Sequence, residues 1–352
     1  MASIPQHPLA PAHRIGWRGN LPVLDAHQTL ARVSAQHRAG YEVHDGERVF
    51  NAQPAPRFLK RGLDPADRPA VGDFVVIDAG TPPHIAAVLP RRGVLERAAA
   101  GDRYERQVIA TNIDVVLVLT GLDGDFNPAR IERYLALVEG SGAQAVVVLT
   151  KQDKVDAAAM ATATTALRER LPANIPIHSI NGKDAASVPV LAPYLGAGIT
   201  AALVGSSGAG KSTLTNTLLG EDKMATGATH NGDGRGRHTT THRALLPLPG
   251  GACLIDTPGM RELKLTGEEA LGLFDDIDTL TEQCRFADCS HGNEPGCAVR
   301  AALEAGELDA ARWRQYLKLH DQRDEQAARL EDRLQGGHEP IRTQRRRDWQ
   351  ER

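Results

Sequence analysis

The chain has 352 residues, 41% of them hydrophobic and only 4% aromatic, which predicts two or three domains with cores of Val, Leu, Ile and Ala. No apolar stretch approaches the ~20 residues that span a bilayer, and the first residues lack the charged start and apolar run of a secretion signal. These features argue against a membrane or secreted protein, so a cytoplasmic protein with reduced thiols is expected. The first 110 residues hold 14 basic and 11 acidic side chains, residues 111–310 hold 16 and 25, and residues 311–352 hold 11 and 8. The basic ends are the better candidates for nucleic-acid contact, although on charge alone an ordinary solvated surface is the simpler interpretation.

The N-terminal part of the chain is predicted to hold a loose leader and a small β-barrel. Residues 1–27 are rich in Pro, His and Ala, which favours an unstructured leader. Residues 28–100 carry short β-like runs separated by turn signals such as Asp45-Gly46 and Ala79-Gly80. The clearest runs cover 30–33, 41–43, 74–77 and 85–88. Five or so short strands in about 70 residues are typical of an OB-fold barrel.

Residues 108–266 change to apolar strands that alternate with helices. The predicted strands cover 113–119, 145–149, 175–179, 199–204 and 252–255, and the predicted helices cover 128–139 and about 155–171. This alternation is typical of a parallel, doubly wound α/β sheet. Residues 267–335 are predicted to form a mainly helical domain that includes a charged helix from 307, and residues 336–352 form a basic tail.

The strongest motif is a glycine-rich run between a predicted strand and a predicted helix. It reads Gly205-Ser206-Ser207-Gly208-Ala209-Gly210-Lys211-Ser212 and matches the phosphate loop G-x-x-x-x-G-K-[ST]. The glycines let successive backbone N–H groups face the phosphates, and the helix N-terminus adds partial positive charge. Lys211 is predicted to reach the β- and γ-phosphates as a catalytic residue, Ser212 to ligate Mg²⁺, and Thr213 to contact the nucleotide. The alternative is a chance glycine turn, which the strand-loop-helix context argues against.

A second motif indicates that the bound nucleotide is GTP rather than ATP. The strand over 145–149 is followed by Thr150-Lys151-Gln152-Asp153, which resembles the [NT]-K-x-D guanine motif of GTPases, with Thr150 in place of the usual Asn. Asp153 would accept hydrogen bonds from guanine N1–H and the exocyclic amine, donors that adenine does not offer there. The stem of Lys151 would cover the base. Ser179-Ile180-Asn181 similarly resembles the Ser-Ala-x loop that backs the guanine.

Two further segments are expected to bind Mg²⁺ and to respond to the γ-phosphate. Asp256-Thr257-Pro258-Gly259 follows the strand over 252–255 and resembles D-x-x-G, in which Asp256 would hold Mg²⁺ through water and the Gly259 N–H would contact the γ-phosphate. Before it, a Gly- and Arg-rich segment over 231–237 leads into His238-Thr239-Thr240-Thr241. Thr240 is predicted as the switch threonine that closes over Mg²⁺.

The order of these motifs along the chain is unusual. Ordinary GTPases run phosphate loop, switch Thr, D-x-x-G, N-K-x-D and S-A-x, whereas here the last two motifs come first, at 150–153 and 179–181. A fold tolerates such a circular permutation because only the surface positions of the termini move. One consequence is that the D-x-x-G segment runs directly into the C-terminal region, so a nucleotide-driven shift would be passed on to it.

A compact Cys/His cluster lies in the C-terminal region. The spacing Cys284-x4-Cys289-x-His291-x5-Cys297 offers three thiolates and one imidazole, which suits a closed tetrahedral Zn²⁺ site. Four protein ligands leave no open position, so one structural zinc ion per chain is expected. The alternative is a set of unligated core cysteines. The fourth cysteine, Cys253, lies in an apolar strand and is predicted to belong to the core.

Over residues 28–335 the chain resembles the ribosome small subunit-dependent GTPase family, RsgA, also called YjeQ. The resemblance rests on the permuted motif order, the Gly-x-Gly-x-His-Thr-Thr run from Gly234 to Thr240 and the Cys/His spacing. It implies an OB-fold, a permuted GTPase domain and a zinc-binding domain. It also implies binding to the small ribosomal subunit and its rRNA late in assembly, with GTP hydrolysis stimulated by the subunit. A monomer that binds GTP and GDP with Mg²⁺ is expected.

Two parts of the chain depart from the GTPase pattern. Residues 1–24 and residues 336–352 lie outside the resemblance, and Met260 occupies the position after D-x-x-G where many GTPases keep a catalytic Gln. A thioether cannot orient the attacking water, and the family likewise replaces this Gln with an apolar residue. His238 is the candidate for placing the water, because it is polar and adjoins the switch threonines. A merely structural or solvated His238 is the alternative.

Two other classes of protein share some of these motifs with a GTPase. A P-loop ATPase or kinase with a zinc module would prefer ATP, and the carboxylate of Asp153 argues against it. A nucleic-acid-binding module that has lost hydrolysis would leave the intact Lys211, Ser212 and Asp256 unexplained.

Overall fold

The computed structural model describes a barrel, a GTPase-like sheet and a helical C-terminal region. The described residues are 10–18, 20–37, 40–60, 62–98, 106–221, 244–256, 274–286, 288–292 and 294–335. Within these ranges no helix is both long and apolar enough to cross a membrane.

The first five strands form a closed barrel. They are β1 (Gln28–His37), β2 (Gly40–His44), β3 (Val49–Pro54), β4 (Phe74–Asp78) and β5 (His84–Val88). Strand β1 pairs antiparallel with both β2 and β4, while β3 pairs parallel with β5, so the order around the barrel is β1-β2-β3-β5-β4. The interior is filled by small and branched side chains such as Val33, Val43, Val75 and Ile85. The predicted OB-like barrel is confirmed.

A two-stranded hairpin that the sequence patterns did not predict follows the barrel. It consists of β6 (Val94–Ala98) and β7 (Arg106–Thr111), which pair antiparallel. Leu95 and Ile109 turn into the core that the GTPase-like sheet shares with its helices. The hairpin therefore links the barrel to the central sheet in sequence and also packs against the core of that sheet.

The central sheet has the doubly wound topology that the strand-helix alternation predicts. Its strands are β8 (Val115–Gly121), β9 (Gln144–Thr150), β10 (Ile177–Ser179), β11 (Thr200–Gly205), β12 (Ala244–Pro247) and β13 (Cys253–Asp256). The order is β10-β9-β8-β11-β13-β12, and every neighbouring pair is parallel except β12 with β13. All seven residues of β8 are buried because the sheet is covered on both faces, with Val116 and Val118 in one core and Leu117 and Leu119 in the other.

In the part of the chain that the structure describes, three α-helices connect the strands of this sheet: α2 (Pro128–Glu139), α3 (Ala157–Arg168) and α4 (Lys211–Leu219). Helix α2 has the predicted bounds. Asn127 caps its N-terminus by accepting a hydrogen bond from the Arg130 N–H at 3.1 Å, Pro128 occupies its first turn, and Gly140 ends it.

The barrel and the central sheet are joined by pairing between one strand of each. Ala35 in β1 pairs with Ala244 in β12, which makes a continuous sheet of eleven strands. The fully buried Arg32 of β1 lies at this junction. Its guanidinium donates to Ile15 O at 2.7 Å, Thr200 Oγ1 at 2.9 Å, Gly72 O at 2.9 Å and Asn112 O at 3.2 Å.

Part of the predicted loose leader is ordered, which corrects the expectation from composition. Residues Ala10–Arg14 form the short helix α1. Ala12 and Ile15 are buried, and the Trp17 ring meets the Phe74 ring edge-on with centroids 4.9 Å apart. Because these apolar partners lie in the barrel, more than 50 residues away for Phe74, no local periodicity in the leader indicated its structure.

The C-terminal region packs on helix α2. It consists of α5 (Asp275–Glu282), α6 (Ala298–Ala305) and α7 (Ala310–Gln335). Ile277 and Leu319 are fully buried in the same core as Ile131 of α2. The amide of Gln315 donates to Ala129 O at 3.1 Å, so α7 is also held to α2 by a polar contact. The bounds predicted for the separate domains stay predictions.

Candidate active site and metal centre

The phosphate-loop motif joins β11 to α4 at the carboxyl edge of the parallel strands. Gly205 ends β11 with φ +149°, and a Cβ there would lie 2.3 Å from Leu119 O. Gly210 caps α4 with φ +92°. Only glycine allows both the close approach and these backbone angles. The loop geometry that the sequence predicts is therefore built by β11, β8 and α4 together.

Lys211 folds back over this loop. Its Nζ donates to Gly205 O at 2.6 Å and to Ser206 O at 2.7 Å. Burial lowers the pKa of Lys211, and the carboxylates of Asp256 and Asp125 oppose that shift. The ammonium therefore lies over the loop, and Ser212 and Thr213 follow Lys211 in the first turn of α4.

Residues 150–153, which resemble the guanine-binding motif of GTPases and are called the guanine-like motif here, contact the phosphate loop directly. Thr150 ends β9 and is 1% exposed, and its Oγ1 lies 2.7 Å from Ala209 O and 3.2 Å from Thr120 O. A threonine hydroxyl therefore bridges the two motifs, which gives a physical reason for Thr at the position where other GTPases have Asn. Asp153 follows in a 3₁₀ turn (Gln152–Lys154) and is exposed, as a carboxylate that recognises a ligand must be.

The loop after β10 completes this side of the site. Ser179 pairs with Leu149, and the Ile180 N–H donates to Leu149 O at 2.8 Å. The Asn181 N–H donates to Ser187 Oγ at 2.8 Å. Residues 179–181 therefore lie beside the guanine-like motif, as the resemblance to the Ser-Ala-x loop predicts.

Asp256 ends β13 next to the phosphate loop. It is buried, and it pairs in register with Leu203 of β11. The remaining predicted residues of the two switch segments, His238, Thr240 and Gly259, lie outside the described residues, as does Met260. The structure thus brings the phosphate loop, the guanine-like motif and Asp256 together at one edge.

Two carboxylates at this edge, those of Asp123 and Asp125, were not among the site residues predicted from the sequence. Asp125 accepts a short hydrogen bond from Ser206 Oγ and pairs with Arg130 Nη1 at 2.5 Å. Asp123 lies 2.5 Å from Lys151 Nζ. The sequence does carry a signal for them, because Asp123-Gly124-Asp125 is a turn that follows the apolar run of β8. The carboxyl end of β8 lies between those of β9 and β11, where the other site residues are.

The four predicted zinc ligands converge in the C-terminal region. The ligand atoms of Cys284, Cys289, His291 and Cys297 all lie within 4.8 Å of one another. Cys284 Sγ lies 3.5 Å from His291 Nδ1 and 3.9 Å from Cys297 Sγ, and Cys297 Sγ lies 3.7 Å from His291 Nδ1. Tetrahedral Zn²⁺ with Zn–S of ~2.3 Å and Zn–N of ~2.0–2.1 Å separates its ligands by roughly 3.5–3.8 Å. The Cys₃His set therefore fits zinc in both chemistry and size.

Local backbone features orient these ligands. Cys297 caps α6, and its Sγ accepts from the Arg300 N–H at 3.4 Å. Burial opposes ionisation of Cys284, but backbone N–H groups of residues 298 and 299 donate to its sulfur, and the net effect lowers the pKa of this thiol. His291 has φ +60°, and its ring meets the Trp313 ring edge-on. Cys253 lies apart from this cluster, fully buried in β13.

The fold and the two sites define a circularly permuted phosphate-loop GTPase with a β-barrel before the GTPase domain and a Cys₃His module after it. The family model of the RsgA GTPase matches residues 88–266. The chain belongs to the RsgA GTPase family and is a GTP-hydrolysing enzyme.

Similar proteins support this assignment over most of the chain. A "Small ribosomal subunit biogenesis GTPase RsgA" of Xanthomonas axonopodis pv. citri (strain 306) is 54% identical over 331 residues, which cover 93% of this chain and 89% of the relative. The protein of the same name from Xanthomonas euvesicatoria pv. vesicatoria (strain 85-10) is 55% identical over 307 residues, covering 86% and 83%.

Solved structures show the same architecture. The crystal structure of YjeQ from Thermotoga maritima is 26% identical with a TM-score of 0.59, and the match covers 83% of this chain and 97% of that one. YloQ, described as a circularly permuted GTPase, matches in fold at 24% identity with a TM-score of 0.57, covering 86% and 96%.

Proposed function

We propose that this GTPase binds the small ribosomal subunit and its rRNA in the cytoplasm, as a monomer, and acts late in assembly of the subunit. Binding of the subunit stimulates hydrolysis of GTP to GDP and phosphate. One observation carries the proposal: relatives named small ribosomal subunit biogenesis GTPases are 54–55% identical over most of this chain. The OB-like barrel adds support, since this fold commonly binds oligonucleotides.

Each nucleotide-site residue has a proposed role that follows from its position. Asp153, exposed at the end of β9, accepts the two donors of guanine. Lys211, held over the phosphate loop by two carbonyls, neutralises the β- and γ-phosphates. Ser212 and Asp256 would hold Mg²⁺, which would supply positive charge beside the phosphates. Little covalent chemistry falls to the protein in phosphoryl transfer, so placing these charges supplies most of the catalysis.

The switch segments supply the remaining groups in this proposal. Thr240 would help to hold Mg²⁺, the Gly259 N–H would contact the γ-phosphate, and His238 would place the attacking water because Met260 cannot. Turnover of the isolated enzyme should therefore be slow, and the subunit should accelerate it by bringing His238 beside the γ-phosphate.

We infer that the Cys₃His cluster binds one structural Zn²⁺. The three thiolates and one imidazole would hold the ion with no ligand position left for substrate, so it would stabilise the fold rather than take part in hydrolysis. This module shares its core with α2, and the fully buried Val299 of α6 and Ile131 of α2 belong to that core. Zinc binding consequently supports a surface that packs directly on the GTPase domain.

Single-turnover hydrolysis of GTP and ATP, with and without purified small subunits, tests the proposal. GTP should be hydrolysed slowly alone and much faster with subunits, whereas ATP should be a poor substrate under both conditions. Preference for ATP would indicate a P-loop ATPase instead, and GTP hydrolysis that ignores the subunit would contradict the proposed partner.

Two variants separate the chemistry from binding in this assay. Lys211→Ala should lose hydrolysis altogether. His238→Ala should bind GTP and small subunits as the parent does, yet lose most of the stimulation. If His238→Ala is stimulated as strongly as the parent, another group places the water.

A further inference from the structure

The turn Asp123-Gly124-Asp125 reaches the guanine-like motif from the neighbouring strand. It follows β8 directly, and the Leu122 N–H donates to Thr150 O at 2.9 Å, which fixes the turn against the end of β9. From there the carboxylate of Asp123 extends to Lys151, and Asp123 Oδ2 lies 2.5 Å from Lys151 Nζ. We propose that Asp123 is a positioning residue for nucleotide binding, which holds the stem of Lys151 flat where it covers the guanine base.

The space around Gly121 shows that the lysine stem has a defined path. A Cβ built on Gly121 would lie 3.3 Å from Lys151 Cδ and 2.5 Å from Asp123 Oδ1. The stem and the carboxylate thus occupy the volume that a side chain at position 121 would fill. Lys151 itself starts from a left-handed backbone conformation, φ +60°, which aims its side chain back across the end of β8.

A hydrogen bond within the turn also orients the Asp123 carboxylate. Asp123 Oδ1 accepts from the Asp125 N–H at 3.3 Å, so one oxygen closes the turn while the other faces Lys151. Burial alone would raise the pKa of Asp123, but the hydrogen bonds from Lys151 and from the turn lower it, so the group is a carboxylate at neutral pH.

The Asp123–Lys151 pair contributes to nucleotide binding rather than to the stability of the fold. Both side chains are about one-third exposed, 30% for Lys151 and 39% for Asp123, and exposed ion pairs of this kind stabilise a fold very little. A free lysine side chain, however, loses considerable rotamer freedom when it is immobilised against a ligand. Restraining the stem in advance lowers that loss, which is the physical basis of preorganisation.

This inference rests on the proposed recognition of guanine nucleotides by residues 150–153. Its test is the affinity of Asp123→Asn for GDP and for GTP, measured by isothermal titration calorimetry on the full chain. Asparagine keeps an oxygen for the Asp125 N–H and removes the charge that holds Lys151. Binding should weaken by about two- to fivefold, the scale of an exposed ion pair. The factor should be the same for GDP and GTP because the stem touches only the base.

Asp156→Asn is the matched control. Asp156 caps α3, accepting from the Ala159 N–H at 2.7 Å, and asparagine preserves that cap while removing one negative charge close to the same motif. Loss of a negative charge alone should leave binding of an anionic nucleotide unchanged or slightly tighter. Of the two variants, only Asp123→Asn is therefore expected to weaken nucleotide binding.

A double-mutant cycle with Lys151→Met gives the decisive result. Methionine keeps an apolar stem but has no ammonium for Asp123 to hold. In the Lys151→Met background, adding Asp123→Asn should cause no further loss of nucleotide affinity. Weakening of the same size with and without Lys151, or equal behaviour of Asp123→Asn and Asp156→Asn, would overturn the inference. Failure of the parent chain to bind GDP or GTP would instead overturn the proposed function.

Discussion

Replacing Arg32 by Met should destabilise the junction between the barrel and the GTPase domain. Burial lowers the pKa of Arg32 to about 10, so the side chain is still charged at neutral pH. Its guanidinium also lies over the Phe74 ring, 4.6 Å from the centroid. Methionine fills much of the stem volume but offers no donor to the four acceptors around it. Of these, Gly72 O keeps a second donor, the Asn112 side chain at 3.0 Å.

The magnitude follows from the acceptors that lose their donor. Ile15 O, Thr200 Oγ1 and Asn112 O would each lose a charged donor, at ~1–3 kcal/mol per buried unsatisfied group. The penalty for burying the guanidinium, several kcal/mol, disappears at the same time and offsets part of this loss. The free energy of unfolding should therefore fall by about 2–4 kcal/mol.

Arg32→Lys sharpens this prediction. A lysine keeps the charge, but its single ammonium cannot reach acceptors that surround a planar fork, so a buried cation would be left with fewer partners. Lysine should be at least as destabilising as methionine. Urea unfolding followed by far-UV circular dichroism and by tryptophan fluorescence measures both, with Trp17 near the junction. A loss below about 0.5 kcal/mol for Met, or parent-like stability for Lys, would refute the reasoning.

Three further outcomes are expected. Asp153→Asn should weaken GTP binding by one to two orders of magnitude, since charged hydrogen bonds contribute ~1.5–3 kcal/mol, while xanthine nucleotides gain; unchanged calorimetric GTP affinity would contradict the guanine assignment. By elemental analysis, the parent should contain one zinc ion per chain. Cys289→Ser should lose it and unfold at a lower thermal midpoint, whereas Cys253→Ser should keep it; equal loss in both would show the ligand set to be misassigned. Thr150→Val removes the hydroxyl that bridges to Ala209 O and should weaken GDP and GTP alike; parent-like affinity would mean that the bridge does not position the loop.

Local signals predicted the elements that are stabilised locally. Helix α2 has a side-chain cap, a proline in its first turn and a glycine at its end, so its bounds could be predicted from sequence. The fully buried strands of the central sheet were recognised as apolar runs, with ends shifted by one or two residues. The order of the motifs also predicted the permuted topology, because each motif follows the strand that its function requires.

Contacts between distant residues could not be predicted in the same way. Helix α1 has five residues, which are too few to show an amphipathic pattern. It is held in place by barrel side chains such as Phe74. Asp123 and Lys151 are 28 residues apart, and Ser206 and Asp125 are 81 apart. Their proximity follows from the parallel pairing of β8 with β9 and β11, which had to be known first.

The strand pairing between Ala35 and Ala244 limits how this protein can be dissected. A fragment that begins after the barrel would retain β12 but lose the neighbour that covers its outer edge. An uncovered edge strand presents free N–H and C=O groups to other chains and promotes aggregation. Poor behaviour of an isolated GTPase fragment would then reflect the cut rather than an unstable nucleotide site. A fragment that keeps the barrel preserves both sides of the pairing, and it also needs the C-terminal helices, since Ile277 and Leu319 share the core of α2.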